Sequence, residues 1–282
     1  MLRALRSSVN QPAANNKTRL WIVECRLLKK RPARIDNRHS TIDNRNMFGR
    51  IDVHSHILPG VDDGCATVEQ SVACARRLVA AGYTHSFCTP HAWPSFPDVT
   101  RDHVVQWVAA LQREVDAAGI PLKLIPGAEH NFYAKFQKLN ESQIISAALA
   151  GKYVLADLWA SEIPDFFEPS VKWLQSMGLT VILAHPERMR AVQDDPMLAD
   201  YFGELGLLLQ GNLQCFNDSP RADTRIVAER YLLEGRYFLL GSDCHKPDTL
   251  EHRMAGIDQA IEIGGKEMVD RLMMGNPKRL LA

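Results

Sequence analysis

This 282-residue chain has no C-x-x-C pair, no net formal charge, and no apolar run of the roughly 18–20 residues that a spanning helix needs. Each absence removes a class of protein. Without paired-cysteine motifs, Cys25, Cys65, Cys74, Cys88, Cys215 and Cys244 read as free thiols of a reducing cytoplasm, not as a disulfide framework. Without a long apolar run, no membrane insertion is expected. Leu2-Arg3-Ala4-Leu5-Arg6 has no continuous apolar core, so the amino terminus does not look like a signal peptide. With 33 basic against 33 acidic residues, no overall field points to nucleic acid. What is present is an apolar fraction of 46%, ample for a packed core and against general disorder.

The zero net charge hides two unlike parts. Residues 1–46 hold 11 Lys/Arg and 3 Asp/Glu, so they are strongly basic and the remainder is acidic by the same amount. This stretch reads as an extension outside the folded domain, disordered or lying before a natural start at Met47. The sharper alternative is a basic arm that meets acidic lipid or a partner. The folded domain is expected over 47–282.

From Arg50 onward, strand and helix signals alternate, as βα units do. Strands are expected at 50–54, 83–89, 122–126, 153–157, 179–184, 206–210 and 236–241. Helices are expected from Thr67 (where Thr67-x-x-Gln70 has capping-box form), at 101–118, 141–150, 168–177, 195–204 and 221–234, and near 252–263 and 266–274. The strand-like runs end in metal ligands: Asp52-Val53-His54-Ser55-His56, then His91, Glu129, Asp157, His185 and Asp243-Cys244-His245. One histidine after a strand means little. Parallel strands closed into a barrel would bring all of these to one rim, where such folds keep their active sites. Imidazole mixed with carboxylate suits Mn²⁺, Fe or Zn²⁺ better than Mg²⁺ or Ca²⁺.

The chain from Met47 onward resembles the PHP (polymerase and histidinol phosphatase) superfamily. More narrowly, it resembles the CpsB-like metal-dependent protein-tyrosine phosphatases of bacterial capsule and exopolysaccharide synthesis. The residues that carry the likeness are 52–64 (Asp-Val-His-Ser-His-Ile-Leu-Pro-Gly-Val-Asp-Asp-Gly), Thr89-Pro90-His91, Pro126-Gly127-Ala128-Glu129, His185-Pro186-Glu187-Arg188 and Gly241-Ser242-Asp243-Cys244-His245.

The resemblance implies a distorted (β/α)7 barrel with three divalent metals, Mn²⁺ first among the candidates. His54, His56, Glu129 and Asp243 would hold one ion. Glu129, Asp157 and His185 would hold a second, and Asp63, His91 and His245 a third, with Asp62 the alternative to Asp63. It further implies attack on phosphotyrosine by a metal-bridged hydroxide, the substrate being the tail of a polysaccharide-synthesis tyrosine kinase. Arg188, and more weakly Arg253 in the loop after the last strand, are candidates to clamp the phosphate. Asp157 departs from the group's usual Glu, and Met189 from its usual Asn. The alternatives are a phosphoesterase for histidinol phosphate or a nucleotide, and a non-catalytic phosphotyrosine-binding regulator.

Other residues read as bystanders. His85, His103, His130 and His252 are expected to be structural, and Cys244 to be packing. Cys215-x5-Arg221 has the bare form of a cysteine-phosphatase loop. It lacks glycine, however, and carries Asp218 and Pro220, which suit a backbone cradle for phosphate badly. Trp93, Phe96 and Trp159 follow ligand-bearing strand ends and are candidates to line a phenyl-ring pocket.

Overall fold

The computed structural model describes residues 49–282. The expectation for residues 1–46 lies outside them.

Strands β1 (Arg50–Asp52), β2 (Tyr83–Cys88) and β4 (Lys123–Pro126) pair in the order β1-β2-β4. Strands β3 (His91–Ala92), β5 (Glu129–Asn131), β6 (Tyr153–Asp157), β7 (Thr180–Ala184), β8 (Leu208–Asn212) and β9 (Tyr237–Gly241) pair in that order, and every pairing is parallel. β2 and β3 are halves of one strand, broken at Thr89-Pro90, where proline offers no ladder N–H. β4 and β5 are likewise broken at Gly127-Ala128. Glu129 N donates to Pro90 O at 3.1 Å and Gly127 N to Cys88 O at 3.1 Å, so the two strands stay in register across the breaks. Joining the halves leaves seven staves. A bridge between Ser55 and Cys244, with Asp243 N donating to His54 O at 2.8 Å, ties the last stave to the first. The result is the distorted (β/α)7 barrel.

The helices are α1 (Val68–Ala80), α2 (Arg101–Ala117), α3 (Phe167–Ser176), α4 (Arg190–Asp194), α5 (Leu198–Glu204), α6 (Leu213–Phe216), α7 (Asp223–Leu233), α8 (Pro247–Gly264) and α9 (Lys266–Asp270). α1 starts where its capping residues dictate: Thr67 Oγ1 accepts from Gln70 N, while Gln70 Oε1 accepts from Ala66 N.

Three expectations are corrected. The helix over 141–150 is absent, and short 3₁₀ turns stand at Glu141–Gln143 and Ala147–Leu149. Ile145 N donates to His130 Nε2 instead of to a helical carbonyl, and Ala148 and Leu149 adopt left-handed φ of 52° and 57°. The helix expected over 195–204 is present as α5 but starts three residues later, after Pro196, and α4 before it was not expected. The last long helix begins at Pro247, which is suited to a first helical position, so Arg253 lies within α8 rather than in a loop.

Strand alternation sorts the core into two layers. Val154, Ala156, Val181, Leu183 and Leu240 face outward to the helices. Ile51, Phe87, Ile125, Leu155, Ile182 and Leu239 fill the barrel interior, packed also against Leu280 and Ala147.

Candidate metal centre

The inward positions of several strands change from apolar to metal-binding as they approach the carboxyl rim. Leu155 is followed two residues later by Asp157, Ile125 four residues later by Glu129, and Leu239 four residues later by Asp243. Period-2 geometry therefore aims these carboxylates at the space above the barrel core. His185 and Asp243 reach it by strain as well. Their φ angles of 34° and 49° are left-handed, a conformation that costs free energy in a residue with a Cβ. Backbone bonds hold both in place, from His185 N to Gln210 O at 2.7 Å and from Asp243 N to His54 O at 2.8 Å.

Three overlapping donor groups result: His54, His56 and Glu129; Glu129, Asp157 and His185; and His56, Asp63, His91 and His245. His54 Nε2 lies 3.1 Å from His56 Nε2 and 3.4 Å from Glu129 Oε2. Asp243 Oδ1 is 3.5 Å from His54 Nε2 and 3.4 Å from His56 Nε2. His185 Nε2 is 3.1 Å from Glu129 Oε1, and Asp63 Oδ1 is 3.3 Å from His91 Nε2 and 3.5 Å from His245 Nε2. Donors placed ~2.1 Å from a tetrahedral ion stand ~3.4 Å apart, so these spacings suit divalent transition ions. Glu129 Oε2, Asp157 Oδ2 and His91 Nδ1 are also buried without a hydrogen-bond partner among the described residues, although His91 Nδ1 and Glu129 Oε2 lie 2.8 Å apart. Buried acceptors of this kind are what an ion satisfies.

The electrostatics fit the same purpose. Burial pushes the His56 imidazole down, but the charges of Asp62 and Glu129 and bonds to Asp62 and Asp243 outweigh it and hold it well above its usual value. His54 is likewise raised: Glu129 and Asp243 overcome burial. Burial would raise Glu129, yet the charge of His54 and the close imidazoles of His185 and His91 keep it well below the usual carboxylate range. Asp157 goes the other way, pushed up to about 8 by burial and by the charge of Glu129.

Behind these groups stands a layer of buried partners that the sequence reading did not assign. Asp62 Oδ2 accepts from His56 Nδ1 at 2.7 Å and from His91 N at 3.0 Å, while its Oδ1 accepts from Gly64 N. Gln210 Oε1 is 2.8 Å from His54 Nδ1, and Asn212 Nδ2 donates to Asp243 Oδ2 at 2.8 Å. Bonds at Nδ1 leave each Nε2 facing the centre. The signal was present in β8, where Gln210 and Asn212 alternate with Leu209 and Gly211 in a strand that is otherwise apolar. Asp52 accepts from Ser242 N and Oγ, and Glu187 accepts from Asn212 N and Tyr237 Oη. Gly64 is obligatory, since a Cβ there would meet His56 O at 1.9 Å.

Arg188 is one-third exposed and donates to Asp243 Oδ2 at 2.8 Å, with its guanidinium 5.1 Å from the Trp159 ring. Both line a cavity of about 410 Å³ together with His185 and Met189. Arg253 differs: it is buried, donates to Ser242 O at 2.8 Å and lies 3.3 Å from Asp243 Oδ2. The Trp93 ring lies tilted against His91 with ring centres 3.7 Å apart, and the Phe96 ring centre is 5.9 Å from that of His91. Cys215 is buried on α6, its thiol pushed well up by burial and by Glu187, unlike a nucleophile. Cys244 is fully buried, and His130 and His252 lie outside the three groups.

Residues 50–282 match the family described as "Capsular polysaccharide synthesis, CpsB/CapC". The chain belongs to this family. It is 32% identical over 208 residues to the tyrosine-protein phosphatase YwqE of Bacillus subtilis (strain 168), covering 71% of this chain and 78% of that one. It is 22% identical over 238 residues to the tyrosine-protein phosphatase CpsB of Streptococcus agalactiae, covering 82% and 98%. Among solved structures, it superposes with TM-score 0.75 and 26% identity on one from a study of YwqE from Bacillus subtilis and CpsB from Streptococcus pneumoniae, described there as unique metal-dependent tyrosine phosphatases. That match covers 82% of this chain and 94% of the other. A phosphotriesterase homology protein from Escherichia coli shares the fold at TM-score 0.56 and 14% identity, over 84% of this chain and all of that one. Among the described residues of this CpsB/CapC member, no helix is long and apolar enough to cross a membrane.

Proposed function

We propose that the chain is a metal-dependent protein-tyrosine phosphatase acting on the phosphorylated tail of a polysaccharide-synthesis tyrosine kinase. The observation that carries this reading is Glu129: a buried carboxylate shared by two donor groups, whose Oε2 finds no hydrogen-bond partner among four surrounding imidazoles. The names of the family's relatives support it. Described cysteines that are all free support a reducing, cytoplasmic setting.

His54, His56, Glu129 and Asp243 would hold one ion, Glu129, Asp157 and His185 a second, and Asp63, His91 and His245 a third, with His56 shared toward the last. Bound ions of this kind, Mn²⁺ first among them, lower the pKa of water and withdraw charge from phosphoryl oxygens. The chain's own residues do the rest. Arg188 can exchange Asp243 for a phosphate oxygen, and its planar fork suits that anion. Trp159, 59% exposed in the same cavity, offers a plane to the phenyl ring. Arg253, fixed on Ser242 O, acts through Asp243 as a positioning residue. Hydrolysis forms a bond from water oxygen to phosphorus and breaks the bond to the phenolic oxygen. Because the phenol has a pKa of about 10, the tyrosine leaves without a strong acid beside it.

The test is phosphate release from a phosphotyrosine peptide by the full chain, before chelation, after it, and with Mn²⁺ restored. Loss on chelation and recovery with Mn²⁺ is expected. Activity that survives complete metal removal would overturn the reading, and turnover of histidinol phosphate or a nucleotide but of no phosphopeptide would replace it with a small-molecule phosphoesterase.

A further inference from the structure

Asp157 is 1% exposed and shares a donor group with Glu129 and His185. A carboxylate turns readily about its last side-chain bond, so an aspartate holds an ion well only when something fixes that rotation. Ligands assigned to the first ion have partners of this kind: Gln210 for His54, Asp62 for His56 and Asn212 for Asp243. For Asp157 the partner is Asn131, which belongs to none of the three groups.

The two side chains meet by strand register. Asn131 on β5 pairs with Asp157 on β6, and Phe132 N donates to Asp157 O at 3.0 Å. Alternation puts Asn131 on the same face of β5 as Glu129. Asn131 Nδ2 donates to Asp157 Oδ1 at 2.7 Å, the only sense open to an amide facing an ionised carboxylate. Asp157 Oδ2 is buried and has no hydrogen-bond partner among the described residues. One oxygen is therefore taken and the other is left for an ion. A neutral amide also suits this place. It fixes the carboxylate without adding a positive charge, which would compete with the metal as a lysine or arginine would.

We infer that Asn131 is a positioning residue for the second ion: it locks the Asp157 carboxylate so that Oδ2 alone meets the metal. The inference rests on the metal assignment proposed above. Three protein donors then hold this ion, Glu129, Asp157 and His185, a number that leaves room for water or substrate. His185 is the one member of the three groups that lines the Arg188 cavity, so this ion belongs beside the space assigned to the phosphate.

The test is a calorimetric titration of Mn²⁺ into the chelated full chain and its variants. Asp157→Ala identifies the second ion as the binding step that it removes. Asn131→Leu keeps the bulk of the side chain and Asn131→Ala does not, but both remove the donor. Each is expected to weaken the second step by about 10- to 100-fold and to leave the other steps unchanged. Turnover of p-nitrophenyl phosphate by both variants should fall at limiting Mn²⁺ and return at excess, a rescue that a folding fault would not show. Four results would overturn the inference: Asp157→Ala keeping every step, a second step unchanged in both Asn131 variants, a loss in Asn131→Ala alone, which would mean packing, or equal weakening of every step. In each case the wild-type chain still binds Mn²⁺ and hydrolyses a phosphotyrosine peptide with it, so the phosphatase reading stands. A wild-type chain that binds no Mn²⁺ removes that reading and this one with it.

Discussion

Asp62 and Asp63 are adjacent, chemically identical and differently placed. The Asp63 side chain is 61% exposed and faces His91 and His245, whereas the Asp62 side chain is fully buried with its oxygens on His56 Nδ1, His91 N and Gly64 N. Sequence spacing could nominate the pair but not divide the roles, because the division depends on which way a tight loop turns each side chain. The geometry makes Asp62 the group that orients the His56 imidazole and anchors the backbone of His91. Asp62→Ala is expected to weaken metal binding by about 10- to 100-fold, measured by titrating Mn²⁺ into the chelated protein. Unchanged affinity would show that His56 and His91 are held by packing alone. Arg253 teaches the same lesson in reverse. As a sequence position it could clamp phosphate, but the structure spends it on Ser242 O and Asp243.

At the scale of elements, strands were the legible part. β6 lies where alternation and its terminal Asp157 put it, and the six other expected strands fall within two residues of expectation, whereas the short β3 and β5 beyond the breaks were not expected. The helices were less legible where tertiary partners override local preference. The 141–150 segment has helical composition, but His130 takes the Ile145 N–H and the chain breaks into turns. Close approach of elements is equally invisible along the chain. Gly256 lies mid-helix in α8, where glycine is unfavourable, because a Cβ there would stand 1.9 Å from Leu213 O of α6. Gly256→Ala should therefore destabilise the protein by about 3 kcal/mol instead of stabilising the helix, as read by urea denaturation. A gain in stability would mean that the two helices separate at little cost.

At the scale of the whole molecule, the donor groups come from the ends of β1, β3, β5, β6, β7 and β9. Ions held between them would tie the first strands of the barrel to the last. Metal should thus raise Tm, with a stabilisation of about 2.7 kcal/mol at a hundredfold excess over Kd, and chelation should remove it. A Tm indifferent to Mn²⁺ at saturating concentration would place the binding elsewhere. The chain by itself determined the order of βα units and the chemistry at each strand end, since alternation and ligand type are local properties. The resemblance grouped the ligands and put Glu129 in two sets, but the chain by itself did not determine that His56 also reaches the third donor group, or that Gln210, Asn212 and Asp62 steady these side chains. Those relations join residues far apart in sequence, and only barrel closure, through Ser55 and Cys244, sets the distances between them.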